Sequence, residues 1–242
     1  MELGGKHILV TGASSGIGRV IAQFISNEGG RVTLLARNKE RLEAVFHSLN
    51  GDSHSFTCCD LNDNEKMQDT ISRIDNVDGV VFCAGINEFI PIKFIKQEKI
   101  NSIFQTNYFS QISLIRTLLK KKKINKGASL VFISSISSLM GVPGTLLYSA
   151  SKAAVNSTVK VLAVELSGQK IRANAICPGI VRTPMLGSTN ISEEQFLEQE
   201  KQYPLGIGTP EDVAEAAVFH LSDKSKWLTG NIMILDGGFS LQ

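Results

Sequence analysis

The sequence predicts an α/β fold, a parallel sheet with helices on both faces. Short apolar runs alternate with longer stretches of helical periodicity along the chain. The first apolar run ends in a glycine-rich turn that opens straight into a helical stretch. No Pro-, Ser- or Gly-rich linker and no internal repeat interrupts the alternation, so the 242 residues read as a single domain, 1–242.

The elements follow in order. His7 to Val10 is a short apolar strand, and Ile17 to Phe24 keeps helical periodicity. Val32 to Ala36 is the second strand, followed by a charged helix from Lys39 to Leu49. Ser55 to Cys59 and Asp78 to Ala84 read as the third and fourth strands, and a long helix covers Gln97 to Lys120. Ser129 to Ser134 is the fifth strand, Leu147 to Leu166 a helix and Ile171 to Cys177 the sixth strand. Val213 to Leu221 is helical, and Asn231 to Leu235 is a short last strand. Such a series implies right-handed crossovers, with ligands beyond the carboxyl ends of the strands.

Composition narrows the function. A formal charge of +2 gives no case for a nucleic-acid partner. The one basic run, Lys120 to Lys123, follows an apolar helical stretch and reads as a solvated helix end, where cations complement the dipole. The start, Met1 to Lys6, has no long apolar segment, and no stretch of about 20 apolar residues occurs. The expectation is a soluble, cytoplasmic protein with no membrane partner. Cys58, Cys59, Cys83 and Cys177 lack CxxC spacing, so they read as buried free thiols and no metal site is expected.

The turn Thr11-Gly12-Ala13-Ser14-Ser15-Gly16-Ile17-Gly18 joins the first strand to the first helix. Gly12 permits the tight turn, Gly16 lets the backbone approach a pyrophosphate, and Gly18 lets the helix pack close to the sheet. The helix start then offers backbone N–H groups to phosphates. The second strand ends Leu35-Ala36-Arg37-Asn38, where an NAD site would carry a carboxylate for the ribose diol. Arg37 instead suits a 2′-phosphate, so NADP(H) is preferred over NAD(H); the other reading is an ordinary exposed arginine. Asp60, in Cys59-Asp60-Leu61, either accepts a hydrogen bond from the adenine amino group or caps a helix.

Tyr148 and Lys152 are four residues apart, which puts phenol and ammonium on one face of a helix. A tyrosine pKa of about 10 is poorly placed for acid–base work near neutrality, and a neighbouring ammonium is expected to lower it. Ser135 lies upstream.

Taken together, Thr11-Gly-x-x-x-Gly-x-Gly18, Asp60, Ala84-Gly85, Asn107, Ser135, Tyr148-x-x-x-Lys152, Pro178-Gly179 and Asp236-Gly237-Gly238 resemble the short-chain dehydrogenase/reductase family, in the family's order and over essentially the whole chain. The resemblance implies a Rossmann-like, doubly wound, seven-stranded parallel sheet. It also implies a nicotinamide cofactor, hydride transfer between a carbonyl and an alcohol, and a homotetramer. In that pattern Ser135 holds the substrate carbonyl oxygen, Tyr148 donates the proton, and Lys152 lowers the Tyr148 pKa and bonds the nicotinamide ribose. Asn107 bends the long helix and holds a water in the proton relay. Pro178-Gly179-Ile180-Val181-Arg182-Thr183 wraps the nicotinamide, chiefly through the Ile180 backbone and the Thr183 hydroxyl. Retention of Asn107, Ser135, Tyr148 and Lys152 favours catalysis over a nucleotide-sensing binding protein on the same fold.

Some residues depart from the pattern. Phe82-Cys83-Ala84-Gly85 stands where Asn-Asn-Ala-Gly is common, so altered packing is expected there. Lys126 and Gln169, with Lys170 beside it, lie near the places where acyl-carrier-protein reductases often carry two arginines. The arginine that many relatives have after Leu-Gly is missing from Tyr203-Pro204-Leu205-Gly206-Ile207. A substrate lid is expected over about 184–202, with Gly187 and Ser188 as a hinge and a helix from Ile191 to Lys201. Phe89, Met140, Val142, Leu146, Met185 and Leu186 would form a mostly apolar wall. These features favour a small-molecule carbonyl or alcohol substrate, reduced as in 3-oxoacyl-thioester reductases; a sugar, polyol or other secondary alcohol is the alternative.

Overall fold

The computed structural model describes residues 1–185 and 193–241. Seven parallel strands form one sheet in the order β3-β2-β1-β4-β5-β6-β7. They are β1 (His7–Thr11), β2 (Arg31–Ala36), β3 (Ser55–Cys58), β4 (Val77–Phe82), β5 (Ile124–Ile133), β6 (Arg172–Pro178) and β7 (Ile232–Leu235). The order reverses between β1 and β4, which opens a crevice at the carboxyl ends of the strands.

Burial on both faces explains the near-continuous apolar runs. One face packs on α1 (Gly16–Asn27), α2 (Lys39–Phe46) and α8 (Pro210–Leu221) through Ile21, Ile25, Leu42, Val213 and Leu221. The other packs on α3 (Asn64–Arg73), α5 (Ser110–Lys120) and α6 (Leu146–Glu165) through Met67, Ile71, Leu114, Leu118, Val155 and Val159. Phe82 and Phe132 pair across β4 and β5 and stack with centroids 4.1 Å apart. Such a pair adds about 1 kcal/mol beyond its burial. It also fixes the strand ends from which Cys83 and Ser135 enter the crevice.

Several boundaries differ from the sequence reading. The helix α3 was not foreseen, because its ten residues bury only Met67, Thr70 and Ile71 and its apolar stripe is sparse. Strand β5 begins at Ile124, before Ser129, with an irregularity in its pairing between Val77 and Gly79. The charged helix stops at Phe46, three residues short of Leu49. Helix α8 starts at Pro210, because Thr209 and Asp212 form a reciprocal cap there. The long helix is divided: α4 (Gln97–Phe104) and α5 flank a π-helical turn, Gln105–Phe109. Cys58 is exposed rather than buried, since β3 is the sheet's edge strand.

Lys120 ends α5 as expected, and Lys123 turns back to donate to the Ile74 carbonyl. The lid region contributes α7 (Glu193–Glu200). The expected hinge at Gly187 and Ser188, the lid residue Leu186 and the start of the lid helix at Ile191 lie outside the described residues.

Candidate active site

A cleft of about 600 Å³ follows the carboxyl ends of the strands. Its nucleotide half is built on the turn after β1. Gly12 has φ +65°, and a Cβ at Gly18 would stand 2.5 Å from the Gly12 carbonyl oxygen, so helix α1 starts in contact with the turn. Ser15 caps α1 without a side-chain hydrogen bond, whereas Asn38, Asp63 and Thr209 cap α2, α3 and α8 with theirs. No side-chain cap occupies the first N–H groups of α1, of which the Gly18 N–H meets the Cys83 thiol, and its first turn holds no acidic side chain. This suits a pyrophosphate. Thr11 Oγ1 donates to the Val81 carbonyl and accepts from Cys83 and Ala84 N–H, tying the ends of β1 and β4 together.

Ser14, Ser15, Gly16, Ile17, Arg37, Asp60, Leu61, Ala84 and Gly85 all line this half. Arg41 lines it too, giving a second guanidinium near Arg37 that the sequence reading did not single out. It stands in the first turn of α2, just past the Asn38 cap. Asp60 accepts a hydrogen bond from Asn62 N–H, while Asp63 is the cap of α3. Asp60 therefore shapes the loop and faces the cleft, and the capping alternative belongs to its neighbour.

The reaction half gathers Ser135, Tyr148, Lys152, Pro178, Gly179, Ile180 and Thr183. Helix α6 is fastened to the end of β5 at Lys152: Nζ donates to the Ile133 carbonyl at 2.7 Å, and Ser134 Oγ donates to the Lys152 carbonyl at 3.2 Å. Ser135 Oγ accepts from Ser137 N–H and donates to Ser137 Oγ, and it is close enough to the Tyr148 phenol to hold its pKa down.

Asn107 is fully buried in the π-helical turn and does not line the cleft. Its Oδ1 accepts from Ile86 N–H at 2.8 Å, and its Nδ2 donates to the Ile86 carbonyl and to Ser151 Oγ. Ser151 in turn donates to the Tyr148 carbonyl at 2.7 Å. A π-helical turn stands where a bend was expected at Asn107, and its side chain braces the strand-β4 exit against the turn of α6 that carries Tyr148. Ser151 had no signal of its own within the Tyr-x-x-x-Lys spacing.

Electrostatics depart from expectation. Burial pushes the Tyr148 phenol up to about 12, with Ser135 opposing. Lys152 is pulled down to about 8, again chiefly by burial. The ammonium sits 5.7 Å from the Tyr148 ring centroid and its nearest bond is to Ile133, so desolvation outweighs the lowering expected from Lys152. Tyr148 is consequently a neutral proton carrier near pH 7, with a cation beside it.

The expected wall is partly correct. Phe89, Val142 and Met185 line the cleft, but Met140 and Leu146 do not. Gln199, Gln202, Tyr203 and Phe239 line it in addition, brought in by α7 and the C-terminal turn from far along the chain. The Ile180 backbone, expected to face a cofactor, is engaged internally: its N–H donates to Tyr203 Oη, and its carbonyl accepts from Gly208 N–H.

A doubly wound sheet, a phosphate-ready turn and a Tyr–Lys–Ser group in one cleft define a nicotinamide-dependent oxidoreductase. Residues 12–240 match a family model described as enoyl-(acyl carrier protein) reductase. A 3-oxoacyl-(acyl-carrier-protein) reductase from Rickettsia felis is 33% identical, with 98% of each chain covered. One from Homo sapiens is 34% identical, again over 98% of each chain. A gluconate 5-dehydrogenase candidate from Beutenbergia cavernae, solved with NADP at low occupancy, is 29% identical with a TM-score of 0.90, covering 100% of this chain and 99% of that one. The chain belongs to the short-chain dehydrogenase/reductase family and is an oxidoreductase acting between carbonyl and alcohol groups. Enzymes of this family use NAD(P)H. No helix among the described residues is long and apolar enough to cross a membrane.

Proposed function

We propose that the chain is an NADPH-dependent reductase that converts a 3-oxoacyl thioester to the 3-hydroxyacyl product. The observation that carries this reading is one cleft with Arg37 and Arg41 at one end and Ser135, Tyr148 and Lys152 at the other. The two guanidiniums suit a 2′-phosphate, with the N–H groups of α1 and the Asp60 loop between them and the reaction half. The glycine turn, Ala84, Gly85, Pro178, Gly179 and Thr183 would hold the rest of the cofactor. When bound, NADPH supplies the hydride.

The residues of the chain do the remainder. Ser135 and Tyr148 hydroxyls hold the ketone oxygen, and these bonds strengthen as negative charge develops there. Tyr148 gives its proton to that oxygen. The Lys152 ammonium stabilises the phenolate left behind. Asn107, through Ser151, holds the turn of α6 that carries Tyr148. Phe89, Ile136, Val142 and Met185 give the substrate end an apolar lining that suits an acyl chain.

A second reading, a sugar or polyol dehydrogenase, draws support from Gln199 and Gln202, whose amides could meet substrate hydroxyls. The name of the Beutenbergia relative points the same way. The test is kcat/KM for short 3-oxoacyl thioesters against a panel of ketoses and polyols, each with NADPH and with NADH. A preference for the thioester and for NADPH is expected. Higher values for a sugar or polyol would transfer the assignment to the second reading.

The same reading includes a homotetramer. Phe109 at the end of the π-helical turn, Val161 and Val164 on α6, and Ile234 on β7 leave large apolar side chains exposed on the faces such an assembly would cover. Light scattering is expected to give four chains per particle; a stable monomer would remove the assembly.

A further inference from the structure

A second phenol faces the reaction half of the cleft. Tyr203 follows α7, is 5% exposed and stacks on Phe239 with centroids 4.6 Å apart. Both side chains line the cleft. The loop opposite is shaped around this ring: a Cβ on Gly179 would stand 2.8 Å from Tyr203 Cε1. The Tyr203 oxygen accepts from Ile180 N–H at 3.0 Å. An N–H can only donate, so this bond uses an oxygen lone pair and leaves the phenolic proton unspent.

No acceptor for that proton is found among the described residues. The carboxylate of Asp236, whose charge acts on Tyr203, is occupied by Gly238 N–H and Ser240 N–H. Burial raises the Tyr203 pKa, so the proton is kept at neutral pH. A buried hydroxyl in a protein normally finds a partner. Here the remaining open direction is the cleft. The Ile180 N–H is held by Tyr203, while its carbonyl accepts from Gly208 N–H and keeps a second lone pair.

We propose that Tyr203 is a ligand-contacting residue whose hydroxyl, held by Ile180 N–H, donates to a carbonyl oxygen of the molecule bound in the reaction half of the cleft. The proposal rests on the reductase reading above. The chemistry required is a planar carbonyl acceptor, which the carboxamide of the cofactor and the carbonyl groups of an acyl thioester both offer. The chain of Ile180 N–H to Tyr203 O–H to ligand is polarised in one direction, which strengthens each bond in it.

Tyr203→Phe removes the hydroxyl and keeps the stacked ring. Steady-state kinetics with NADPH and a short 3-oxoacyl thioester then separate the two sources. A KM rise of about five- to tenfold, the scale of one lost hydrogen bond, is expected and exceeds any change in kcat. A rise confined to NADPH assigns the acceptor to the carboxamide, and one confined to the thioester assigns it to the substrate. Unchanged values for both KMs would overturn the role of Tyr203. A wild-type enzyme that does not turn over bears instead on the reductase reading, and binding then decides the matter. For this arm the wild-type sequence is labelled with 3-fluorotyrosine. The chain has three tyrosines, so three ¹⁹F resonances are expected, and Tyr108→Phe and Tyr148→Phe assign the other two. The Tyr203 resonance is expected to shift on saturation with NADPH or with NADPH plus thioester. A resonance that moves with neither would also overturn the proposal, and this arm stands even if Tyr203→Phe does not fold.

Discussion

The nucleotide half of the cleft and its reaction half are built by different means. The nucleotide half is mainly backbone: a glycine turn after β1, a helix start without a side-chain cap and the ends of β2, β3 and β4, with Arg37 and Arg41 exposed at its far edge. Its parts lie within residues 12–85, and each works through local geometry. The reaction half is made of side chains carried by elements far apart in sequence: β5 and its exit, α6, the loop after β6, α7 and the C-terminal turn. Its Ser135 and Lys152 side chains are buried, the pKa values of Tyr148 and Lys152 are displaced, and they depend on braces such as Asn107 and Ser134, which tie α6 to the exits of β4 and β5. Changes in the first half should act on binding and cofactor choice. Changes in the second should act on turnover and on the stability of the fold.

The largest contrast is expected at Lys152. Lys152→Met should lower turnover by about a hundredfold or more, the scale of a lost contribution to proton transfer. The same change should raise the melting temperature at neutral pH. The folded pKa of Lys152, about 8, lies below its ordinary value of 10.5. Below pH 8 both folded and unfolded chains hold the proton, and the folded state bears the cost of the buried charge. Between about pH 8 and 10.5 the unfolded chain holds a proton that the folded chain has released, so wild-type stability recovers as pH rises. The gain in Lys152→Met should therefore be largest below pH 8 and shrink toward pH 10.5 in melting curves. A variant less stable than wild type at pH 7 would show that the bond to Ile133 outweighs the desolvation.

Changes in the nucleotide half should affect cofactor choice next. Arg37→Ala with Arg41→Ala should raise KM for NADPH by about ten- to a hundredfold, the range for charge-assisted hydrogen bonds. KM for NADH should hardly move. Equal losses with both cofactors would mean that the two guanidiniums support the loop rather than a 2′-phosphate.

The smallest effect belongs to neither half. Thr209→Ala removes the reciprocal cap of α8 on the sheet face away from α6 and should cost about 1 kcal/mol by denaturant unfolding. Its KM values should remain those of wild type.

The same division explains what could be read from the sequence. The turn from Gly12 to Gly18 and the Tyr148–Lys152 spacing are local patterns, and the structure places Gly12, Ser14 to Gly18, Tyr148 and Lys152 in the cleft. Arg41 was readable by the same means, as a first-turn residue of the helix that Asn38 caps. Tyr203, Gln199 and Ser151 were not, because their positions depend on tertiary packing that no short spacing encodes. Helix α3 was missed for a related reason: with few apolar residues, its place is set by the Asp63 cap and by the crossover between β3 and β4. The direction of the Tyr148 shift was also out of reach. The spacing shows that an ammonium is near, but the competing burial is a property of the assembled core.

The most direct test of the account is NADPH oxidation with a short 3-oxoacyl thioester by wild type and by Tyr148→Phe, with NADPH affinity measured alongside by fluorescence. The account predicts that the variant loses about three orders of magnitude in kcat, within the range for a positioned proton donor, while NADPH affinity stays within a few fold. Turnover retained in Tyr148→Phe would contradict it, because the proton would then come from another group in the cleft.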